Sequence, residues 1–150
     1  MPQSLAQMYG HLVFRTKKGE HHISSDIRKE LYGYISGIFT NMKSAAVIVG
    51  GTSDHIHILF RMPRTITIAQ VVEEVKTAAT KWLKQRSSDY RNFHWQDGYG
   101  IFSVSCSHVD KVYKYIENQE QHHSMKAFQE EYIEFLIENK LEYDERYVWD

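Results

Sequence analysis

Residues His55 to Phe60 read His-Ile-His-Ile-Leu-Phe. Side chains alternate between the two faces of a strand. Ile56, Ile58 and Phe60 therefore share one face, which is strongly apolar and must lie on the core. His55, His57 and Leu59 share the other face. Two imidazoles two residues apart then point the same way, off the core. Neutral imidazole nitrogen is a common metal ligand, and side chains at this spacing can converge on one ion. A bare His-x-His pair is a weak signal in a chain with nine histidines, where His21-His22 and His122-His123 are adjacent pairs already. Its setting raises it: Asp54 precedes it, and a loop opens onto the start of the strand.

The rest of the chain supplies partners for that strand. Tyr9 to Thr16 reads as a strand. Ser24-Ser25-Asp26 caps a helix with Ile27, Leu31, Tyr34, Ile35 and Ile38 inward. Ala46 to Val49 is a second strand, closed by Gly50-Gly51, and His55 to Met62 the third. A second helix runs from about Thr67 to Gln85, with Val71, Val72, Val75, Ala78, Ala79 and Trp82 inward. Phe93 to Gln96 and Ile101 to Ser105 are short strands. A third helix follows Ser107, and a fourth spans about Lys126 to Asn139. This order predicts an α+β fold: a split β-α-β (ferredoxin/RRM-like) sandwich with a mostly antiparallel sheet, helices on one face and extra C-terminal helices. The other face is expected to be open for a ligand or partner.

The third helix is the second place where chemistry concentrates. Ser107 to Asp110 has the form of an imperfect capping box. At 3.6 residues per turn, Val112, Ile116, Val109 and Tyr113 fall on one arc, the expected buried one. Tyr115, Gln119, His108 and His122 fall on a separate polar stripe. Tyr113 is then structural, and Tyr115 lies one turn before Gln119. A phenol is a possible nucleophile toward phosphorus if a metal stabilises the developing charge. Gln119 can offer a carboxamide oxygen as a third ligand beside the two imidazoles.

The chain's 150 residues suit a single domain, 1–150, with one sizeable core. No run is apolar enough to span a membrane and no leader precedes the first strand, so a cytoplasmic protein is expected. Cys106, the one cysteine, cannot form an internal disulfide. The net charge of −1 argues against nucleic acid, but its distribution does not. Residues 1–116 carry 15 Lys/Arg against 9 Asp/Glu, and residues 117–150 carry 3 against 10. A basic body with an acidic tail leaves room for a phosphate-binding face. Lys17, Lys18, Lys76, Lys81, Lys84 and Arg86 are candidates for it, weighed equally against a solvated surface. Phe93, His94, Trp95, Tyr99 and Phe102 can stack bases of a single strand, although at least half are expected in the core or a dimer interface. The tail, Leu141 to Trp149, carries three aromatics to pack on the body or a partner subunit.

His55-Ile56-His57 resembles the His-hydrophobe-His motif of the HUH endonucleases. Tyr115-Ile116-Glu117-Asn118-Gln119 resembles the single-tyrosine helix of the insertion-sequence 200/605 transposases. HLVFRTK near the start, FHWQDGYGIFSVS before the helix and NQEQHH after it are similar too. The likeness covers nearly the whole chain. It implies a DNA transposase that binds single-stranded DNA at hairpin-bearing element ends. It implies a divalent metal, Mg²⁺ or Mn²⁺, on His55, His57 and Gln119. It implies attack by Tyr115 on the scissile phosphate, a 5′-phosphotyrosine link, and later resealing by a hydroxyl. It also implies a homodimer in which the tyrosine helix of one subunit can complete the other's site. Two further readings compete: a relative that binds DNA or RNA hairpins without cutting, and a metal-dependent phosphodiesterase. The absence of an acidic cluster beside the histidines in sequence makes the last the least favoured.

Overall fold

A computed structural model describes residues 2–120 and 127–150. The four strands are β1 (Tyr9–Arg15), β2 (Ala46–Gly51), β3 (His55–Arg61) and β4 (Gly100–Val104), ordered β2-β3-β1-β4 and antiparallel throughout. Helices α1 (Ser25–Asn41) and α2 (Ile68–Arg86) follow β1 and β3. This is the expected split β-α-β sheet. Phe93 to Gln96 does not become a strand: it runs beside the end of β1 with one bridge, Thr16 to Trp95. The buried polar end of Gln96 helps to hold it there, accepting from the Arg15 amide.

Ile56, Ile58 and Phe60 are wholly buried, with Leu12 and Phe14 of β1, under α1 and α2. Leu31, Ile35, Ile38 and Phe39 come down from α1, and Val71, Val72, Val75, Ala79 and Leu83 from α2. Tyr34, expected inward, stays 40% exposed and stacks on Trp82 at the seam of the two helices. Thr67 caps α2 in a reciprocal box with Gln70. Ser107 makes no such box: a 3-10 turn over Cys106–His108 intervenes, and its hydroxyl meets the His108 ring instead.

The opposite sheet face is covered, not open. Helix α3 (Val109–Glu117) lies over β2 and β3, and α4 (Phe128–Glu138) lies over β1 and β4. The expected start of the last helix at Lys126, and His122 and His123, fall outside the described residues. Phe128, Tyr132 and Leu136 of α4 bury against Val13 and Phe102. At about 1.5–3 kcal/mol each, three such side chains hold a helix too short to persist alone.

Two glycines set how closely α3 can sit. A Cβ on Gly50 would lie 2.9 Å from both the Ile116 carbonyl oxygen and its side chain. One on Gly51 would meet the His55 carbonyl in the turn into β3. The helix therefore rests directly on the β2 backbone, beside His57, which pairs with Gly50.

Candidate active site

Register fixes what shares the face of His55 and His57. Arg15 of β1 pairs with His55, Val13 with His57 and His11 with Leu59. Antiparallel partners point the same way, so His11 joins the two histidines. All three rings are buried.

Each of the two motif histidines is held by its Nδ1. His55 Nδ1 lies 2.8 Å from Asp54 Oδ1 and 2.9 Å from Thr52 Oγ1. His57 Nδ1 lies 2.7 Å from His11 Nε2. Burial, and then His57, push His11 well below the ordinary imidazole value, and one of the two facing nitrogens carries the proton they share. Both Nε2 atoms then face oxygens: Gln119 Oε1 at 3.2 Å from His55, and Glu131 Oε1 at 2.8 Å from His57. Each Nε2 can carry the proton of a neutral ring or offer its lone pair to a metal ion. Nδ1 held and Nε2 presented is how metal-ligating histidines are oriented. Donor atoms of His55, His57 and Glu131 lie within 4.8 Å of one another. The residues fit a divalent cation.

Tyr115 closes the site. Its ring lies 5.8 Å from that of His57 and 5.7 Å from that of Phe135, edge to face. Its phenol interacts with the side chains of Glu131 and Gln119. Burial raises the phenol far above its ordinary value, and Glu131 raises it further. A cleft of 460 Å³ opens beside it, lined among others by His11, Ser105, His108, Lys111, Glu134 and Phe135.

The structure therefore brings His55, His57, Gln119 and Tyr115 together within one chain. Tyr113 is a correction. It was expected in the core and is 36% exposed. The inward face runs through Tyr115 and Ile116 of α3 and on to Gln119 just past its end, because Tyr115 and Gln119 are turned in on the histidines rather than out along a polar rim. Glu131 and His11 escaped the sequence reading. Glu131 lies three residues after Phe128 and one before Tyr132, on the apolar stripe of α4, which was a legible signal. The absence of an acidic cluster around the histidines weighed against a phosphodiesterase; the carboxylates the structure sets beside them are Asp54 and Glu131.

The basic candidates scatter. Lys17, opposite Asp97 at 3.8 Å, and Lys18 follow β1 at the His55 end of the sheet. Lys81, Lys84 and Arg86 lie on α2, across the sheet from the histidines; Arg86 also pairs with Glu30 and covers Trp82. Lys76 is turned inward. Its ammonium donates to the carbonyls of Gln96 and Gly98 at 2.7 Å and of Asp97 at 3.4 Å. It leaves the set of phosphate contacts. Phe93, Trp95 and Phe102 are buried, which removes them as base-stacking surfaces. Trp149 of the tail packs on Tyr132 and Arg15 of its own chain. Among the described residues, no helix is long and apolar enough to cross a membrane.

The sequence model of the family described as "Transposase IS200 like" matches residues 4–119. No curated protein matches the chain. Among solved structures, a candidate transposase from Deinococcus radiodurans R1 aligns with TM-score 0.61 at 20% identity, covering 79% of this chain and 98% of its own. A REP-associated tyrosine transposase bound to a REP hairpin aligns with TM-score 0.56 at 9% identity, covering 83% of this chain and 72% of its own. At these identities the two structures share the fold.

Proposed function

This chain belongs to the IS200-like transposase family, and on that premise we propose that it cuts and rejoins single-stranded DNA through Tyr115. The observation that carries the reading is the convergence of Tyr115 on His57, of Gln119 on His55, and of donor atoms of His55, His57 and Glu131 within 4.8 Å of one another. His55, His57 and Gln119 would hold a divalent metal. When bound, it would polarise the scissile phosphate and stabilise its developing charge. Mn²⁺ suits the nitrogen donors better than Mg²⁺, which prefers oxygen.

The chain's own residues do the rest. Asp54 and Thr52 orient His55, and His11 orients His57. Gly50 lets α3 bring Tyr115 down to them. Tyr115 attacks the phosphate, its proton passing to a neighbouring acceptor, and the strand breaks to a 3′-hydroxyl and a 5′-phosphotyrosine. A hydroxyl later displaces the tyrosine and reseals the strand. The substrate is a hairpin-bearing element end, a reading supported by the fold shared with a protein bound to a REP hairpin. Lys17 and Lys18 contact phosphates at the His55 end. Lys81, Lys84 and Arg86 reach only DNA that passes over the helical layer. The protein acts in the cytoplasm as a homodimer, with residues 1–150 as its transposase domain.

Incubation with a labelled single strand carrying the element end and Mn²⁺ tests this. A covalent protein–DNA adduct should form, and Tyr115→Phe should lose it. Adduct persisting in that variant refutes the role of Tyr115. Binding with no adduct under any metal would mark a non-cutting hairpin binder. Hydrolysis of a small phosphodiester, unaffected by Tyr115→Phe, would mark a phosphodiesterase.

A further inference from the structure

We infer that Glu131 is itself a ligand of the metal ion, so that helix α4 is part of the metal centre and the ion fastens it to the sheet. This rests on the metal-binding reading above and extends it beyond the two histidines and the glutamine.

Four acidic residues lie on α4, and three of them, Glu130, Glu134 and Glu138, are exposed. Glu131 alone is buried, at 3% exposure, between Phe128 and Tyr132. A carboxylate in that position costs several kcal/mol unless charge is brought to it. A purely structural helix would place an apolar residue there, continuing the stripe of Phe128, Tyr132 and Leu136. Instead Glu131 Oε1 points at His57 Nε2, the ring atom presented for ligation, at 2.8 Å.

The donor set then reads two imidazoles, one carboxamide and one carboxylate. The carboxylate supplies the hard anionic oxygen that the other three lack, and it suits Mn²⁺ or Mg²⁺. It also links two parts of the chain. His55 and His57 are on β3, while Glu131 comes from a helix that packs on the sheet through a small apolar cluster. Binding that draws on both must stabilise their contact.

The test uses the full chain, stripped of metal, with Mn²⁺ as the probe. Titration calorimetry is run on the wild type, Glu131→Gln and His57→Ala, and amide exchange across Phe128–Glu138 is followed with and without Mn²⁺. Glu131→Gln should weaken Mn²⁺ binding about tenfold or more. Mn²⁺ should slow exchange in α4 of the wild type but not of that variant. Binding that His57→Ala removes and Glu131→Gln leaves unchanged would overturn the role of Glu131 and keep the histidine site. No Mn²⁺ binding by the wild type, or binding that His57→Ala leaves intact, would overturn the metal reading and this inference with it. Should Glu131→Gln fail to fold, exchange in the wild type decides: α4 unprotected by bound Mn²⁺ refutes the inference.

Discussion

Replacing Gly50 by alanine adds one methyl group on the side of β2 that faces α3. That carbon would stand 2.9 Å from the Ile116 carbonyl oxygen, whereas ordinary contact begins at 3.4 Å. The deficit is about 0.5 Å. The Ile116 side chain can turn aside, but the carbonyl belongs to the helix backbone and cannot. Helix α3 must therefore move as a body by about that amount, carrying Tyr115 and Gln119 away from the histidines. Overpacking of this kind costs about 1–3 kcal/mol of stability. For a 150-residue domain this lowers Tm by roughly 2–12 °C. The effect on strand cutting should exceed the effect on folding. Displacement by about 1 Å can cost on the order of a hundredfold in rate, so half that distance should cost about tenfold. Gly50→Ala is measured by thermal unfolding and by the single-turnover rate of adduct formation, at a temperature where the variant is folded. A variant that cuts at the wild-type rate would refute the argument that Gly50 sets the reach of Tyr115.

Further outcomes follow from other contacts. Mn²⁺ at a hundred times its Kd should stabilise the protein by about 2.7 kcal/mol, a rise in Tm of about 5–11 °C at this size; a Tm indifferent to chelator and Mn²⁺ would speak against the site. Burial lowers the Lys76 ammonium to about 8. The folded chain then releases that proton before the unfolded chain does, so stability relative to Lys76→Met should rise between about pH 8 and 10.5; denaturant titrations at pH 7 and 9.5 with an unchanged difference would contradict this. Lys17→Ala should reduce the salt dependence of single-strand binding by about 0.7 in the log–log slope, whereas Lys76→Met should leave that slope unchanged.

The alternation of His55 to Phe60 was enough to assign both faces of β3, because a strand has only two. The same rule on β1 would have placed His11 opposite Leu12, but a lone histidine there carries no signal until pairing sets it against β3. Helix faces were harder. A short helix such as α3 offers few apolar positions, and two polar residues turned inward shift the apparent buried arc, which misplaced Tyr113. Glu131 was missed for a related reason. A glutamate in an acidic tail reads as solvated unless its place on the stripe of Phe128, Tyr132 and Leu136 is weighed. The expectation of an open face failed because composition does not say where the last helix docks. The lysines misled because charge shows no direction in sequence, and Lys76 points at a turn of its own chain.

The central position of β3 has a consequence for redesign. Its two histidines sit on a strand paired on both sides, whereas Tyr115, Gln119 and Glu131 arrive on separate segments laid over it. The scaffold is thus divided into a fixed plate and interchangeable covers. Changing the geometry at phosphorus, or the nucleophile itself, calls for rebuilding α3 and α4 while the plate is left alone. Transplanting the two histidines onto another sheet would carry over the proposed metal ligands without the segments that bring Tyr115 to them.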